Sequence, residues 1–310
     1  MRSLRQYSLT ELARFEPISD AYKQLRNDLF LNAYLARKAE GQAAFLDDCR
    51  ALRGKTIAAV VAFEQPWALE WLLTMARKNL KDCTVLVFDN SRAPKRAAIA
   101  EVCRRQGAHY LALPSNRTRH VNRSHGMAMT WIYRNIVQAI EPEYFAFIDH
   151  DMIPMTPMSL SERLGDLDCF GRINQSRWGW QLWAGYCLFR FARVGHLPLN
   201  FLYDFSFGLD TGGRNWKYIY RQLDFGRQRF ADDQEYPLQA GPQGPVRTVQ
   251  VLDDRWVHIG SISYNNNFES KLAFFTTLAA ASEQGFTWQQ MRQQGQTAAL
   301  AQASGSSVAS

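Results

Sequence analysis

The chain has 310 residues, 46% of them apolar, and a formal charge of +7. That is enough apolar matter for one large core or two modest ones, and the positive surplus favours anionic partners such as nucleotides or phospholipid headgroups. The basic residues are spread out, which argues against nucleic acid; no run of eighteen apolar residues predicts a membrane-spanning helix, and the charged start has no apolar stretch behind it, so no signal peptide and a cytoplasmic location are expected.

Residues 1–55 read as a helical extension. Leu9, Leu12, Ala13, Phe15, Tyr22, Leu25, Leu29, Ala33 and Leu35 recur at helical spacing, with Lys and Arg on the other face. Such an amphipathic pair is expected to turn its apolar side onto the rest of the protein; peripheral contact with a membrane surface is the alternative. Thr56 to Phe63 follows as a strand buried on both faces, and Glu64-Gln65-Pro66 opens a helix with Pro66 in its first turn. Thr84 to Phe88 is a second strand ending in Asp89-Asn90-Ser91, and a helix covers about 94–106. His109 to Leu113 is a third strand, ending in Pro114-Ser115-Asn116. The loop Arg117, Arg119, His120 could reach phosphates. A helix from Ser124, its expected N-cap, runs to about Ile140. Tyr144 to Ile148 is a fourth strand, ending in Asp149-His150-Asp151.

This β-α-β-α-β-α-β rhythm predicts a doubly wound, mostly parallel sheet with right-handed crossovers. Ligands in such sheets bind beyond the carboxyl ends of the strands, where Glu64, Asp89, Asn90, Asn116, Asp149 and Asp151 gather. Carboxylates there can accept hydrogen bonds from a base N–H or ribose hydroxyls. Two acids as close as Asp149 and Asp151 repel unless a cation lies between them, and a divalent metal carrying a phosphorylated ligand meets that need. Strand alternation points His150 away from both acids. No G-x-G-x-x-G and no P-loop is present.

After 152 the rhythm breaks. Pro154 and Pro157 mark a loop; Cys169–Ile173 and Leu182–Phe191 read as strands; Asp210-Thr211-Gly212-Gly213 precedes a helix expected over about 214–223. A charged stretch with Gly and Pro runs to 247, then come a short strand Thr248–Leu252, the segment Arg255 to Gly260, and a helix over roughly 268–282. Residues 293–310 have no charge and are expected to be disordered. The five cysteines are odd in number and scattered, as reduced core thiols would be.

The motifs Phe88-Asp89-Asn90-Ser91, Ser124-His125-Gly126-Met127-Ala128-Met129 and Phe147-Ile148-Asp149-His150-Asp151, in this order, resemble those of the GT-A glycosyltransferases, in particular family 2-like sequences. The resemblance covers about 56–265. It implies a GT-A sheet with an acceptor-side subdomain: a nucleotide-binding half at 56–152, an acceptor half at 153–265, the helical extension at 1–55 and a C-terminal helix at 266–292. It also implies a hexosyltransferase-like enzyme that moves a sugar from a UDP- or GDP-linked donor to a hydroxyl of a glycan or other acceptor. The nucleotide-sugar would be held by Phe63, Glu64, Asp89, Asn116, Arg117 and Asp149. Mn²⁺, or Mg²⁺, would be held by Asp149, Asp151 and His258. Asp210 would be the catalytic base, with Asp232 and Asp233 as rivals. Trp180 and Trp183, with Trp178 and Trp216, would form the acceptor's stacking floor. A nucleotidyltransferase acting on a sugar phosphate and a non-catalytic nucleotide- or sugar-binding protein on the same scaffold are the competing readings.

Overall fold

A computed structural model describes residues 2–116, 118–260 and 268–306. Along the chain lie α1 (Leu9–Ala13), α2 (Glu16–Leu35), α3 (Gln42–Asp48), β1 (Thr56–Ala62), α4 (Pro66–Asn79), β2 (Cys83–Asp89), α5 (Ala93–Gln106), β3 (His109–Ala112) and α6 (Val121–Ile132). A π-type turn at Tyr133–Val137 leads into α7 (Gln138–Ile140). Then come β4 (Tyr144–Asp149), β5 (Met152–Pro154), α8 (Leu160–Leu164), β6 (Cys169–Ser176), β7 (Gly179–Arg190) and α9 (Phe191–Val194). The last elements are β8 (Asp233–Gln239), β9 (Val246–Leu252), β10 (Trp256–His258), α10 (Phe268–Glu283) and α11 (Trp288–Ser306).

The protein is a mixed α/β structure with a mostly parallel central sheet and flanking helices. It forms two compact units, each assembled from separated stretches. Unit 1 is Met1–Glu64, Asp82–Asp149 and Ser159–Ala231; unit 2 is Gln65–Lys81, His150–Met158 and Asp232–Ser310. This interleaving differs from contiguous halves meeting at 152/153.

Unit 1 holds the six-stranded sheet, ordered β3-β2-β1-β4-β7-β6. β1 is buried at every position and pairs in parallel with β2 on one side and β4 on the other. The order of strands therefore reverses at β1, the kind of place where open α/β sheets bind ligands. The hairpin β6–β7 continues the sheet antiparallel to β4, and its strands run longer than expected because Trp180 and Gln181 are buried ladder residues. Helix α6 crosses the core on Met127, Trp131 and Ile132. It comes so close to Phe201 that a Cβ on Gly126 would lie 2.5 Å from the Phe201 carbonyl oxygen. α6 begins earlier than expected: His120 is the N-cap, its Nδ1 accepting the Arg123 N–H at 3.3 Å. Ser124 lies inside the helix, where its Oγ accepts a hydrogen bond from Asn90. The helix expected over 214–223 is two short 3₁₀ turns, Gly213–Lys217 and Tyr220–Gln222.

The N-terminal helices reverse a second expectation. The buried residues of α2 are Pro17, Asp20, Asn27, Leu31 and Tyr34, while Leu9, Leu12, Phe15, Tyr22, Leu25 and Leu29 are exposed. The polar inward face is held by specific bonds. Asp20 accepts from the Tyr7 hydroxyl at 3.2 Å, Gln24 donates to Asp204 at 2.9 Å, and Asp28 pairs with Arg214.

Unit 2 is built on a four-stranded antiparallel sheet, β5-β10-β9-β8. β5 replaces the loop expected at Pro154, and β8 the irregular stretch before 247. Pro237 is tolerated because β8 is an edge strand. Helix α11 closes on β8 so tightly that a Cβ on Gly295 would lie 2.1 Å from the Pro237 carbonyl oxygen. The segment expected to be disordered from 293 is thus helical to Ser306; its Gln and Ala residues are good helix formers and need no charge to be so. Residues 307–310 lie outside the described residues.

Candidate functional site

The parallel register brings the strand ends of unit 1 level: Ala62 of β1 stands beside Asp89 of β2, and Val61 beside Asp149 of β4. Asp89 is fully buried. One of its oxygens accepts the Ser91 N–H at 2.8 Å and the other the Tyr110 hydroxyl at 2.9 Å. As placed, this carboxylate closes the exit turn of β2 and offers no surface to the nucleoside expected on it. Of the neighbouring amides, Asn90 is buried and Asn116 half-buried. Asn90 donates to the Ser124 hydroxyl at 3.0 Å, yet its own Oδ1 is buried without a hydrogen-bond partner. Asn116 donates to the Ser124 carbonyl at 3.1 Å and accepts from the Thr118 N–H at 3.2 Å. Arg117 lies outside the described residues.

Phe63 is half-buried at the end of β1. Glu64 adopts the left-handed conformation, φ 54°, and its N–H donates to the Ser91 hydroxyl at 2.8 Å. Its carboxylate takes both arms of Arg92, at 2.5 and 2.7 Å. Those hydrogen bonds, and then the Arg92 charge, hold the Glu64 carboxyl below its ordinary value against the opposing effect of burial. A side chain so engaged leaves the backbone of this turn, rather than the carboxylate, to face a ligand.

Asp149 ends β4 with His125 Nε2 3.5 Å from its Oδ1. Across from it, Gly185 makes room for two groups at once: a Cβ there would lie 2.5 Å from Asp149 Oδ2 and 2.3 Å from the Trp183 ring. Trp183 therefore stands beside Asp149, with the Arg172 guanidinium 5.5 Å from its ring centre. Trp180, expected to bind the acceptor, does not join it. Trp180 is buried among Tyr220, Phe230, Phe225 and Trp216, with ring centroids 4.8 to 6.5 Å away. Trp180 and Trp183 are three apart in β7, and strand alternation sends them to opposite faces.

Asp210 is exposed and accepts from the Asn122 amide at 2.7 Å. Near it, burial first, and then the charges of Arg123 and Arg26, push the His120 imidazole below its ordinary value, against the pull of Asp210. Because His120 Nδ1 already accepts the Arg123 N–H, a neutral His120 carries its proton on Nε2 and is no proton acceptor.

In unit 2 the chain turns at His150 and Asp151 instead of continuing the strand, so alternation does not set the direction of His150. Its ring is buried and its Nε2 has no hydrogen-bond partner. Asp151 is buried too. Its Oδ2 accepts the Gly260 N–H at 3.1 Å, and its Oδ1 faces His258 Nε2 across 3.8 Å, too far for a hydrogen bond. His258 pairs across the ladder with Gln250 of β9, and its Nδ1 lies 2.5 Å from Gln250 Oε1. The Gln250 amide nitrogen donates to Asp233 at 2.7 Å, which fixes the oxygen toward the histidine. Nδ1 must then be the donor, and the Nε2 lone pair of a neutral ring points at a carboxylate. A cation between this nitrogen and the carboxylate would be stabilised by both. A histidine whose second nitrogen donates to an orienting acceptor is the usual outer-shell arrangement of a metal ligand. Lys271 adds positive charge nearby, donating to the carbonyls of Ile259 and Gly260 at 3.2 and 2.6 Å.

Asp232 and Asp233, the rivals for a base, have other tasks. Asp233 orients Gln250, and Asp232 accepts from Gln234 at 3.2 Å. Gln250 and Lys271 were missed from the sequence. The signal for Gln250 was the turn at Asp253-Asp254, both at positive φ, which folds β9 onto β10 and sets 250 opposite 258. Among the described residues no three His, Cys, Asp or Glu side chains are gathered as a complete metal cage. The donor set of Asp151 and His258, one carboxylate and one imidazole, suits Mn²⁺ better than Mg²⁺ when phosphate oxygens and water supply the remaining positions.

No family model matches the chain, and no curated protein matches it. Among solved structures it is similar to glucosyl-3-phosphoglycerate synthase from Mycobacterium tuberculosis in complex with Mn²⁺ and UDP-glucose, at 15% identity and a TM-score of 0.29, over 44% of this chain and 48% of that one. It is also similar to the same enzyme with Mn²⁺, UDP and glucosyl-3-phosphoglycerate, at 14% identity and a TM-score of 0.30, over 44% and 49%. The likeness thus spans about half the length of those chains, and at these scores no argument about this protein rests on it.

Proposed function

We propose that the protein is a metal-dependent glycosyltransferase of the GT-A type, which moves a sugar from a UDP- or GDP-linked donor to a hydroxyl acceptor. The observation that carries this reading is the Gln250-oriented imidazole of His258 facing the buried Asp151 carboxylate. It is supported by Asp149, Asn90 and Asn116 at the strand ends of a sheet whose order reverses at β1, and by the sequence resemblance in the same motifs. A divalent cation held by Asp151 and His258 would supply Lewis-acid neutralisation of a leaving diphosphate.

The chain's own residues then divide the work. Asn90 and Asn116 offer amides to the nucleoside. Trp183, beside Asp149, offers a flat apolar face to a sugar. Asp210, held by Asn122, accepts the proton of the attacking hydroxyl if the reaction inverts configuration. A panel of nucleotide-sugars with Mn²⁺ tests the reading. Release of nucleoside diphosphate together with sugar transfer is the expected outcome; release of pyrophosphate from a nucleoside triphosphate and sugar phosphate would instead establish a nucleotidyltransferase, and binding without turnover a non-catalytic protein. In the transfer assay Asp210→Asn should lower kcat by about 10² to 10⁴-fold with little change in donor KM; a near-normal kcat removes Asp210 as the base.

Gln250→Leu separates orientation from ligation. Without the amide oxygen the His258 tautomer is no longer fixed, and Mn²⁺ affinity should fall by about 10 to 100-fold while the fold is kept. Calorimetric titration with Mn²⁺ reads this directly, and an unchanged affinity would show that the Gln250 bond has no part in metal binding.

A further inference from the structure

The N-terminal helix α2 is apolar on the side turned to solvent. Phe15, at its N-cap, with Ile18, Tyr22, Leu25 and Leu29 are each between 60% and 68% exposed. Their spacing is three, four, three, four. Leu9 and Leu12 of α1 and Phe30 extend the patch, at 86%, 38% and 49% exposure. This face is not a remnant of poor docking. The opposite side of the helix is held into unit 1 by Asp20 with Tyr7, Gln24 with Asp204 and Asp28 with Arg214. The structure thus buries polar side chains and leaves a row of large apolar ones outside, at a cost that a stable covering would offset.

The geometry of the row selects the covering. At about 100° per residue the five seam positions fall within roughly 80° of arc, the narrow a/d stripe of a helix that packs on another helix rather than the wider face of a lipid-bound one. Charge points the same way. Residues 2–36 carry Arg2, Arg5, Arg14, Lys23 and Arg26 against Glu11, Glu16, Asp20 and Asp28, a near balance without the basic excess that binds anionic membranes. The exposed apolar side chains of α1 and α2 amount to on the order of 1,000 Å² per copy, above the ~800 Å² per partner of a stable, specific interface. A second copy of the chain supplies a helix with the same seam, and a two-fold axis lets one patch cover the other. We propose that the protein is a homodimer in which α2 packs on α2 of a second copy through Phe15, Ile18, Tyr22, Leu25 and Leu29.

The test is the solution mass of the full chain, by sedimentation equilibrium and light scattering at tens of micromolar. Wild type should have twice the chain mass. The double substitution Ile18→Glu, Leu25→Glu should halve it, and because both positions are exposed, the far-ultraviolet circular dichroism should stay unchanged. A dimer that survives the double substitution, with its helicity intact, overturns the proposal. A monomeric wild type also overturns it. Co-sedimentation with phosphatidylcholine vesicles is run alongside: a monomer that binds vesicles and loses that binding in the double variant assigns the seam to a lipid surface instead. Should the double variant fold poorly, Leu29→Gln alone serves, with a dimer dissociation constant expected to rise at least tenfold; no change in that constant counts against the proposal.

Discussion

Asp151→Asn is expected to abolish Mn²⁺-dependent binding of a nucleoside diphosphate and to lower sugar transfer by on the order of 10³-fold or more. The substitution is nearly isosteric. The amide oxygen can still accept the Gly260 N–H that now reaches Asp151 Oδ2, so the turn after β10 should persist. What is lost is the negative charge opposite His258 Nε2. A divalent cation held by one imidazole and neutral oxygens loses its strongest anchor, whereas a nucleotide bound by hydrogen bonds at Asn90 and Asn116 alone would not notice the change. Calorimetry with and without Mn²⁺ distinguishes these cases: wild type should show a large metal-dependent gain and Asp151→Asn almost none. Equal gains in both would sink the metal assignment, and with it the catalytic reading built on it.

Trp180→Ala should destabilise the protein by about 3–5 kcal/mol. The indole is 5% exposed and touches four aromatic rings, with Tyr220 at 4.8 Å between centroids. Those rings come from the 3₁₀ turns and the segment to Phe230, which Trp180 joins to β7. Truncation leaves a cavity that rigid rings cannot close, and each edge-to-face pair lost adds about 0.5–1.5 kcal/mol to the burial lost. Guanidinium unfolding followed by circular dichroism should show a lower midpoint with the slope retained. A variant that unfolds like wild type but needs more acceptor for half-maximal rate would return Trp180 to the binding floor where the sequence suggested it belonged.

The contrast between Trp180 and Trp183 shows what was legible in the chain. The first four strands were, because β1, β2 and β4 are short apolar runs that no amphipathic helix would tolerate, and the acids at their ends could only emerge at one edge of a parallel sheet. That a late histidine comes to face Asp151 followed from the family resemblance, while the amide of Gln250 that meets this histidine had no signal in the motifs. The environment of each side chain was not. Asp89 reads the same whether its carboxylate faces a nucleoside or, as here, Ser91 and Tyr110. Aromatic residues three apart in a strand give no sign of which one meets solvent until the partner segment, here Tyr220 to Phe230, has folded over it.

Two elements depart from what local pattern predicts because distant residues decide their surroundings. The periodicity of α2 was read correctly as amphipathic, but the apolar side was taken to face the protein; long-range polar bonds to Asp204 and Arg214, some 180 residues away, decided otherwise. The strand Asp233 to Gln239 lies in the charged stretch with Gly and Pro, where no element is expected. On the edge of a sheet those residues are permitted and even useful, since they discourage pairing with foreign strands.

The cysteines have a practical consequence. All five are free thiols and all belong to unit 1. Cys49, Cys103, Cys169 and Cys187 are buried, and burial pushes the thiols of Cys49 and Cys103 up to about 11 and 12. A thiol that is both hidden and protonated does not react with alkylating reagents until the structure around it opens. The natural protein therefore carries its own reporters of breathing in unit 1, needing no engineered label, while unit 2 stays silent to the same chemistry. Mass-resolved alkylation over time would show whether the strand-end region opens on its own or only when the whole fold is lost.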